Sequence, residues 1–376
     1  MTESRLYCDA NASDVLRPEA RGAALEALAC VGNPSSVHAE GRLARRQLEG
    51  AREIVASLLG VTTEGCVFTG GGTEANALAI HALGQDRRVL VGTTEHDAVR
   101  LARQDATPVP VLCDGTLDLD ALEQALSNGP PALVCVMAAN NETGVLHPLK
   151  AISALCRRHG ARLHVDAVQA AGRMPFDLAQ VDCDSAAISG HKMGGLKGAG
   201  AALFRGPFAV PGTFAAHVTG GGQERGRRGG TQALPAIASM AAALAAARAQ
   251  DWSSIGQMRD GIDDAARKAG AVVAGSGAPR LANTTSLVLP GVAAQVQLMM
   301  LDLAGIAVSA GSACSSGKVS TSHVLEAMGF GAAAGQAIRV SLPWNAKPET
   351  ASRLAEAYGA MAARLGKSPA GHSGVS

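Results

Sequence analysis

Ser185-Ala186-Ala187-Ile188-Ser189-Gly190-His191-Lys192 carries a short apolar run into a polar turn, and Met193-Gly194-Gly195-Leu196-Lys197-Gly198-Ala199-Gly200 follows. An apolar run closed by glycines reads as a buried strand. A lysine at the mouth of such a strand has a partly desolvated ammonium, which makes its amine easier to deprotonate. Lys192 is therefore a candidate nucleophile toward an aldehyde cofactor, and pyridoxal 5'-phosphate is the commonest that proteins hold. A lysine among glycines is also an ordinary loop residue, so its neighbours decide.

Upstream, residues 88–92, 133–138 and 162–165 read as strands, with helices over 118–126 and 148–159 between them. Such alternation specifies an α/β chain: a mostly parallel sheet with helices on both faces and sites at the carboxyl ends of strands. At successive ends stand Glu95-His96, Asn140-Asn141-Glu142, Asp166, and Ser189 to Lys192. Each has an ordinary reading as a cap, a turn residue or a hydrogen-bonded histidine, yet topology gathers all of them around one crevice. In that crevice Asp166 can pair with a protonated pyridine nitrogen and keep the ring an electron sink, which pyridoxal chemistry needs and nicotinamide chemistry does not.

Residues 66–69 read as a further strand, leading through Gly70-Gly71-Gly72 into a helix over 73–83. Glycines that admit backbone amides at a helix N-terminus make a phosphate cradle, with Thr73 adding a hydroxyl. Gly70, Gly72 and Ala75 equally satisfy the dinucleotide pattern G-x-G-x-x-A, with Glu95 as the ribose-binding acid. On this segment alone NAD and pyridoxal phosphate are not separated. Residues 5–12 read as a strand running into a turn, residues 18–30 as a helix, and Gly32-Asn33-Pro34-Ser35-Ser36 as a loop. The helix over 39–59 presents Arg42, Arg45, Arg46, Glu49, Arg52 and Glu53, the pattern of a solvated face with ion pairs. The glycine- and arginine-rich segment 220–231 reads as a phosphate clamp or as a mobile loop.

With 33 basic and 32 acidic side chains the chain has no basic stripe for a phosphate backbone, so nucleic acid is not expected as a direct partner. The first residues lack a signal-peptide pattern, which points to the cytoplasm. The longest apolar run, 233–247, is shorter than the roughly 20 residues a bilayer needs and reads as a buried helix. The eight cysteines form no Cys-x-x-Cys pair, so no metal site is expected. Cys314 stands apart: small residues on both sides cannot bury its thiol, as suits a nucleophile on a movable loop. From residue 251 onward, a helix over 251–269, strands over 271–274 and 285–289, a helix over 293–304 and an extended 306–309 indicate a second, smaller α+β domain.

The segments 69–75, 140–144, 220–231 and 311–317 recur in a known order with Gly32-Asn33-Pro34-Ser35-Ser36-Val37-His38, Thr94-Glu95-His96, Asp166-Ala167-Val168-Gln169-Ala170, Ser189 to Lys192 and Ser322-His323-Val324-Leu325. In these the chain resembles the NifS/IscS-type cysteine desulfurases, pyridoxal-phosphate enzymes of the class V aminotransferase family with the aspartate-aminotransferase-like fold (PLP fold type I), from Tyr7 to about Leu342. The resemblance implies a large cofactor-binding domain over 14–250, a small domain from 1–13 with 251–365, and a disordered tail over 366–376. It implies that Lys192 holds the cofactor and shuttles protons, that His96 stacks on the ring and joins in proton transfer, and that Asp166 pairs with the ring nitrogen. Gln169 and Asn141 would contact the ring hydroxyl or the substrate. Gly72, Thr73, Ser189 and His191 would bind the phosphate, with Thr231 from a partner subunit of a homodimer. Arg339 and Asn33 would grip the carboxylate of L-cysteine, and Cys314 would take its sulfur as a persulfide for an acceptor protein, as in iron–sulfur cluster or other sulfur-cofactor assembly. A selenocysteine lyase, another class V aminotransferase-like enzyme and a non-catalytic sulfur-delivery scaffold stand as alternatives. Departures from the family pattern fall at Asp9-Ala10-Asn11-Ala12-Ser13, at Leu196, and at Pro343-Trp344.

Overall fold

The computed structural model describes residues 5–311 and 321–365, so Cys314 and the tail 366–376 lie outside the described residues. The strands are β1 (Leu6–Tyr7), β2 (Cys66–Thr69), β3 (Arg88–Gly92), β4 (Thr107–Val109), β5 (Ala132–Met137), β6 (Arg162–Asp166), β7 (Ser185–Ser189), β8 (Gly200–Phe204), β9 (Val272–Ala274), β10 (Thr284–Val288), β11 (Ile306–Ala307) and β12 (Ala337–Ser341). Seven form one sheet in the order β2-β8-β7-β6-β5-β3-β4. All neighbours are parallel except β8, which runs antiparallel to both β2 and β7. The expected strands are present, whereas β4 and β8 were not legible. Three residues centred on Pro108 carry little strand signal, and β8 emerges directly from the glycine-rich turn that follows Lys192.

The sheet order removes the dinucleotide reading. That fingerprint needs the strand before the glycines and the strand after the helix to lie side by side in one βαβ unit, but β2 sits at the sheet edge with four strands between it and β3. Glu95 is fully buried, and its carboxylate accepts the Met137 N–H at 2.7 Å, so it faces no ribose.

Both faces of the sheet are covered. Along β5, Leu133 and Cys135 enter a core with Leu78, Ala79 and Leu83 of the helix Gly72–Gly84. Val134 and Val136 point to the other face, where Val55, Ile152, Ile237 and Leu244 pack. This two-residue period makes the strand apolar throughout. The alanine-rich run forms the helix Leu234–Arg248, buried on several sides. A separate core joins Cys8, Ile255, Leu287, Ile338 and Tyr358 around the antiparallel sheet β12-β10-β9, and β1 reaches it by pairing with β11. Among the described residues no helix is long and apolar enough to cross a membrane.

Arg52 corrects the expectation of a wholly solvated face on the helix Ala39–Leu59. Its side chain is buried and donates to both carboxylate oxygens of Glu224, at 2.7 and 3.0 Å, and to Cys66 O at 2.9 Å. Glu224 also accepts the Phe68 N–H at 2.8 Å, so the segment 220–231 is pinned to β2. Glu224 and Arg225 hold this course in the left-handed region, with φ of 50° and 58°. Arg227 is buried and donates to Ala209 O and Glu64 O, while Arg228 pairs with Glu74 at 2.7 Å. Within this chain these arginines brace a loop and do not form the phosphate clamp.

Removing the Arg52 guanidinium strands a buried carboxylate. Arg52→Ala is expected to cost about 3–5 kcal/mol in urea unfolding. Burial pushes the Glu224 carboxyl up, but the hydrogen bonds and charge of Arg52 outweigh it and hold the carboxyl below its ordinary value. The stability it adds is complete above the ordinary glutamate value and is lost as pH falls through the depressed one. The gap between wild type and variant should therefore narrow in acid, and an Arg52→Ala midpoint equal to wild type at neutral pH would refute the assignment.

Candidate active site

The carboxyl ends of β3, β5, β6 and β7 open on one cavity of about 360 Å³, lined by Gly72, Thr73, His96, Asn141, Asp166, Gln169, Ser189, His191, Lys192 and Arg339. Asn11 and Asn76 line it as well. Gly311, three residues before Cys314 in sequence, also lines it. Among the described residues two expected ones do not line it: Asn33, whose side-chain oxygen accepts the Ser35 N–H at 2.9 Å, and Thr231, which is exposed.

Lys192 ends a single turn after β7, and its Nζ donates to Asn11 O at 2.6 Å and Ala12 O at 3.0 Å. Asp166, the last residue of β6, is buried. Its oxygens accept from Val168 N and from the Asn76 side-chain amide, each at 2.9 Å. Burial pushes its carboxyl up, opposed by the Val168 N–H and by the charges and donors around it, His96, Asn76 and Lys192. A carboxylate so placed favours a further cation.

His96 caps the short helix Asp97–Arg100, its Nδ1 accepting the Ala98 N–H at 3.0 Å. That bond leaves Nε2 to carry the proton of the neutral ring. Burial, aided by Lys192 and Lys197, lowers His191 to about 4. Arg339 donates to Asp9 Oδ1 at 2.7 Å and to Asn141 O at 3.1 Å, and its buried Nε has no partner among the described residues.

A hub beneath the cavity was not read from sequence. Asn11, at one of the departures from the family pattern, donates to Asn141 O and Thr284 Oγ1, each at 3.0 Å, and its Oδ1 accepts from Arg173 at 2.8 Å. Arg173 is buried and also donates to Lys192 O at 2.8 Å and to Gln169 Oε1. Trp344, at another departure, bonds Val15 O at 2.8 Å and lies under Arg17, whose Nε donates to Met193 O at 2.9 Å. These contacts join the segment 11–17 to the lysine turn.

The lining fits pyridoxal 5'-phosphate. An anion is favoured at the N-terminus of the helix Gly72–Gly84, whose first amides have no partner within the helix. There the buried Ser189 Oγ stands without a hydrogen-bond partner among the described residues, and a Cβ on Gly72 would lie 3.3 Å from Ser189 Cβ. A Cβ on Gly200 would come within 2.6 Å of Gly71 C, so only glycine lets the cradle rest on the sheet. At the other end of the cavity Asp166 supplies an anion for a ring nitrogen, and Lys192 supplies an amine.

A lysine amine, a buried carboxylate and a helix N-terminus around one cavity define an enzyme site of the pyridoxal-phosphate class. The chain belongs to the class-V aminotransferase family, whose profile matches residues 6–354. It is 41% identical over 364 residues to a cysteine desulfurase of Cereibacter sphaeroides, covering 92% of each chain. It is 39% identical to a cysteine desulfurase of Rhodobacter capsulatus, covering 94% of this chain and 95% of that one. The structure of a NifS-like protein from Rickettsia africae superposes with a TM-score of 0.87 at 29% identity, covering 95% of this chain and 99% of that one. The family's cofactor is pyridoxal 5'-phosphate, and the fold is that of the NifS-like enzymes.

Proposed function

We propose that this chain is a cysteine desulfurase that removes sulfur from L-cysteine, releases L-alanine and passes the sulfur through Cys314. The observation that carries the reading is the approach of Lys192, Asp166, His96 and Ser189 to one cavity in a chain so similar to named cysteine desulfurases. Bound pyridoxal phosphate supplies an aldehyde for amines and a protonated ring that accepts electron density.

The residues divide the remaining work. Asp166 would face the ring nitrogen of the bound cofactor and hold its proton. Lys192 would hold the cofactor and would move protons at the substrate's carbon atoms. His96, with its proton on Nε2, would stack on the ring and be a second donor. Ser189, Thr73, Gly72 and His191 bind the phosphate, joined by Thr231 of the partner in a homodimer. Asn141 and Gln169 contact the ring hydroxyl or the substrate, and Arg339 orients the substrate carboxylate; Asn33, which does not line the cavity in this chain, has no contact that supports the same role. The Cys314 thiolate attacks the substrate sulfur, the carbon–sulfur bond breaks with its electrons passing to the substrate carbon, and a persulfide remains on Cys314. An acceptor protein then takes the sulfane sulfur, for iron–sulfur cluster or other sulfur-cofactor assembly in the cytoplasm. A large domain over 14–250 and a small one from 1–13 with 251–365 enclose the site.

Cys314→Ala tests the relay. Alanine release from L-cysteine is expected to fall roughly 10²-fold or more, as when a positioned reacting group is lost. The absorbance change on adding L-cysteine should persist, because amine exchange at the cofactor does not need the thiol. Unchanged turnover would refute the relay.

A further inference from the structure

Behind Asp166 a file of polar side chains leads away from the cavity. On β6 the two-residue period puts His164 on the same face as Asp166. On the helix Gly72–Gly84, Asn76 stands one turn beyond Thr73 and meets that face. Ser185 of β7 is paired in register with His164. Asn76 Nδ2 lies 2.9 Å from Asp166 Oδ2, His164 Nε2 lies 2.8 Å from Asn76 Oδ1, and Ser185 Oγ lies 2.8 Å from His164 Nδ1. Asn76, His164 and Ser185 are buried, each 1% exposed or less, which is a costly place for polar groups that serve no purpose.

The chemistry of each contact sets the direction of the next. An ionised carboxylate can only accept, so the Asn76 atom facing it is the amide nitrogen. The Asn76 oxygen then faces His164 Nε2, which must carry the proton, and Nδ1 is left to accept from the Ser185 hydroxyl. Every donor in the file points toward Asp166. Burial pushes the His164 imidazole down to about 3, so it stays neutral and this direction does not reverse at working pH. Burial pushes the Asp166 carboxyl up, and the Val168 N–H, His96, the Asn76 amide and Lys192 act against it in favour of the charged form. Glu95, a like group close enough to feel Asp166, is pushed well above its ordinary value by burial and, less strongly, by Asp166.

We propose that Asn76, His164 and Ser185 are positioning residues that orient Asp166 and hold it as a carboxylate, so that the ring nitrogen of the bound cofactor stays protonated. This rests on the pyridoxal-phosphate reading of the site. Asn76 alone could turn its amide, and His164 prevents that. Ser185 in turn fixes the tautomer of His164.

The test uses holoenzyme loaded with pyridoxal phosphate carrying ¹⁵N in the ring, with the ring-nitrogen signal followed against pH and cofactor dissociation measured by dialysis. In Asn76→Ala the deprotonation midpoint is expected to fall by about one pH unit or more, the scale of one lost hydrogen bond to a charged group. His164→Leu should behave alike, while His164→Gln, which keeps a donor toward Asn76, should stay close to wild type. Cofactor dissociation should rise in step with the shift. Circular dichroism checks the fold, and Asn76→Ala, at the cavity wall, remains informative if His164→Leu does not fold. A wild-type midpoint in Asn76→Ala overturns the proposal while leaving the cofactor reading intact. Wild-type protein that takes up no cofactor overturns both.

Discussion

Lys192→Ala is expected to lose activity by about 10⁴-fold or more in alanine release from L-cysteine, because the proposed function makes one side chain both cofactor anchor and proton carrier. The turn that carries it is expected to survive the substitution. Its backbone is held by Arg173 on Lys192 O at 2.8 Å and by the Met193 N–H on Gly190 O at 3.1 Å, and neither bond uses the amine. The variant should therefore unfold close to wild type in the absence of cofactor. Of the two cavity-lining carbonyls that accept from Nζ, Asn11 O keeps the Gln169 side-chain amide as a donor at 3.1 Å. Cofactor should still enter through the phosphate cradle and the Asp166 contact, but should wash out on dialysis. Retention of a few per cent of wild-type turnover would place the nucleophile elsewhere.

Asp166→Asn is expected to keep the protein folded and to lower kcat by roughly 10²–10³-fold, the range seen when one preorganised electrostatic group is removed from a reacting site. Both carboxylate oxygens already accept from donors, Val168 N and Asn76 Nδ2. An asparagine amide must set its NH₂ against one of those donors, so it is neutral and also misdirected. The loss should fall on kcat more than on KM, since the proposed function sets Asp166 against the ring and gives the substrate carboxylate to Arg339. A KM effect with kcat unchanged would show that Asp166 serves substrate binding instead.

Much of the cavity's lining was readable because strand ends carry it. His96, Asn141, Asp166 and Lys192 each follow an apolar run, and once the runs are set in one sheet their ends must converge. What stayed hidden has physical reasons. Asn11 and Arg173 act across 162 residues of sequence, and no periodicity marks such a pair. Asn76 and His164 left a weaker trace: three residues after Thr73 on a helix, and two before Asp166 on a strand, both on the face that already held a site residue. Arg52 looked solvated because neighbouring arginines on its helix are; only Glu224, 172 residues away, reveals it as half of a buried pair. β8 was lost in its own glycines, and with it the antiparallel turn that sets β2 at the sheet edge.

The account depends on a covalent link between the Lys192 amine and the pyridoxal aldehyde. The most direct measurement is borohydride reduction of the yellow, cofactor-supplied protein followed by peptide mass analysis. The account predicts that the colour bleaches and that a pyridoxyl group is found on the peptide containing Lys192, and on no other lysine. A colourless protein, or a reduced group on a different lysine, would contradict it.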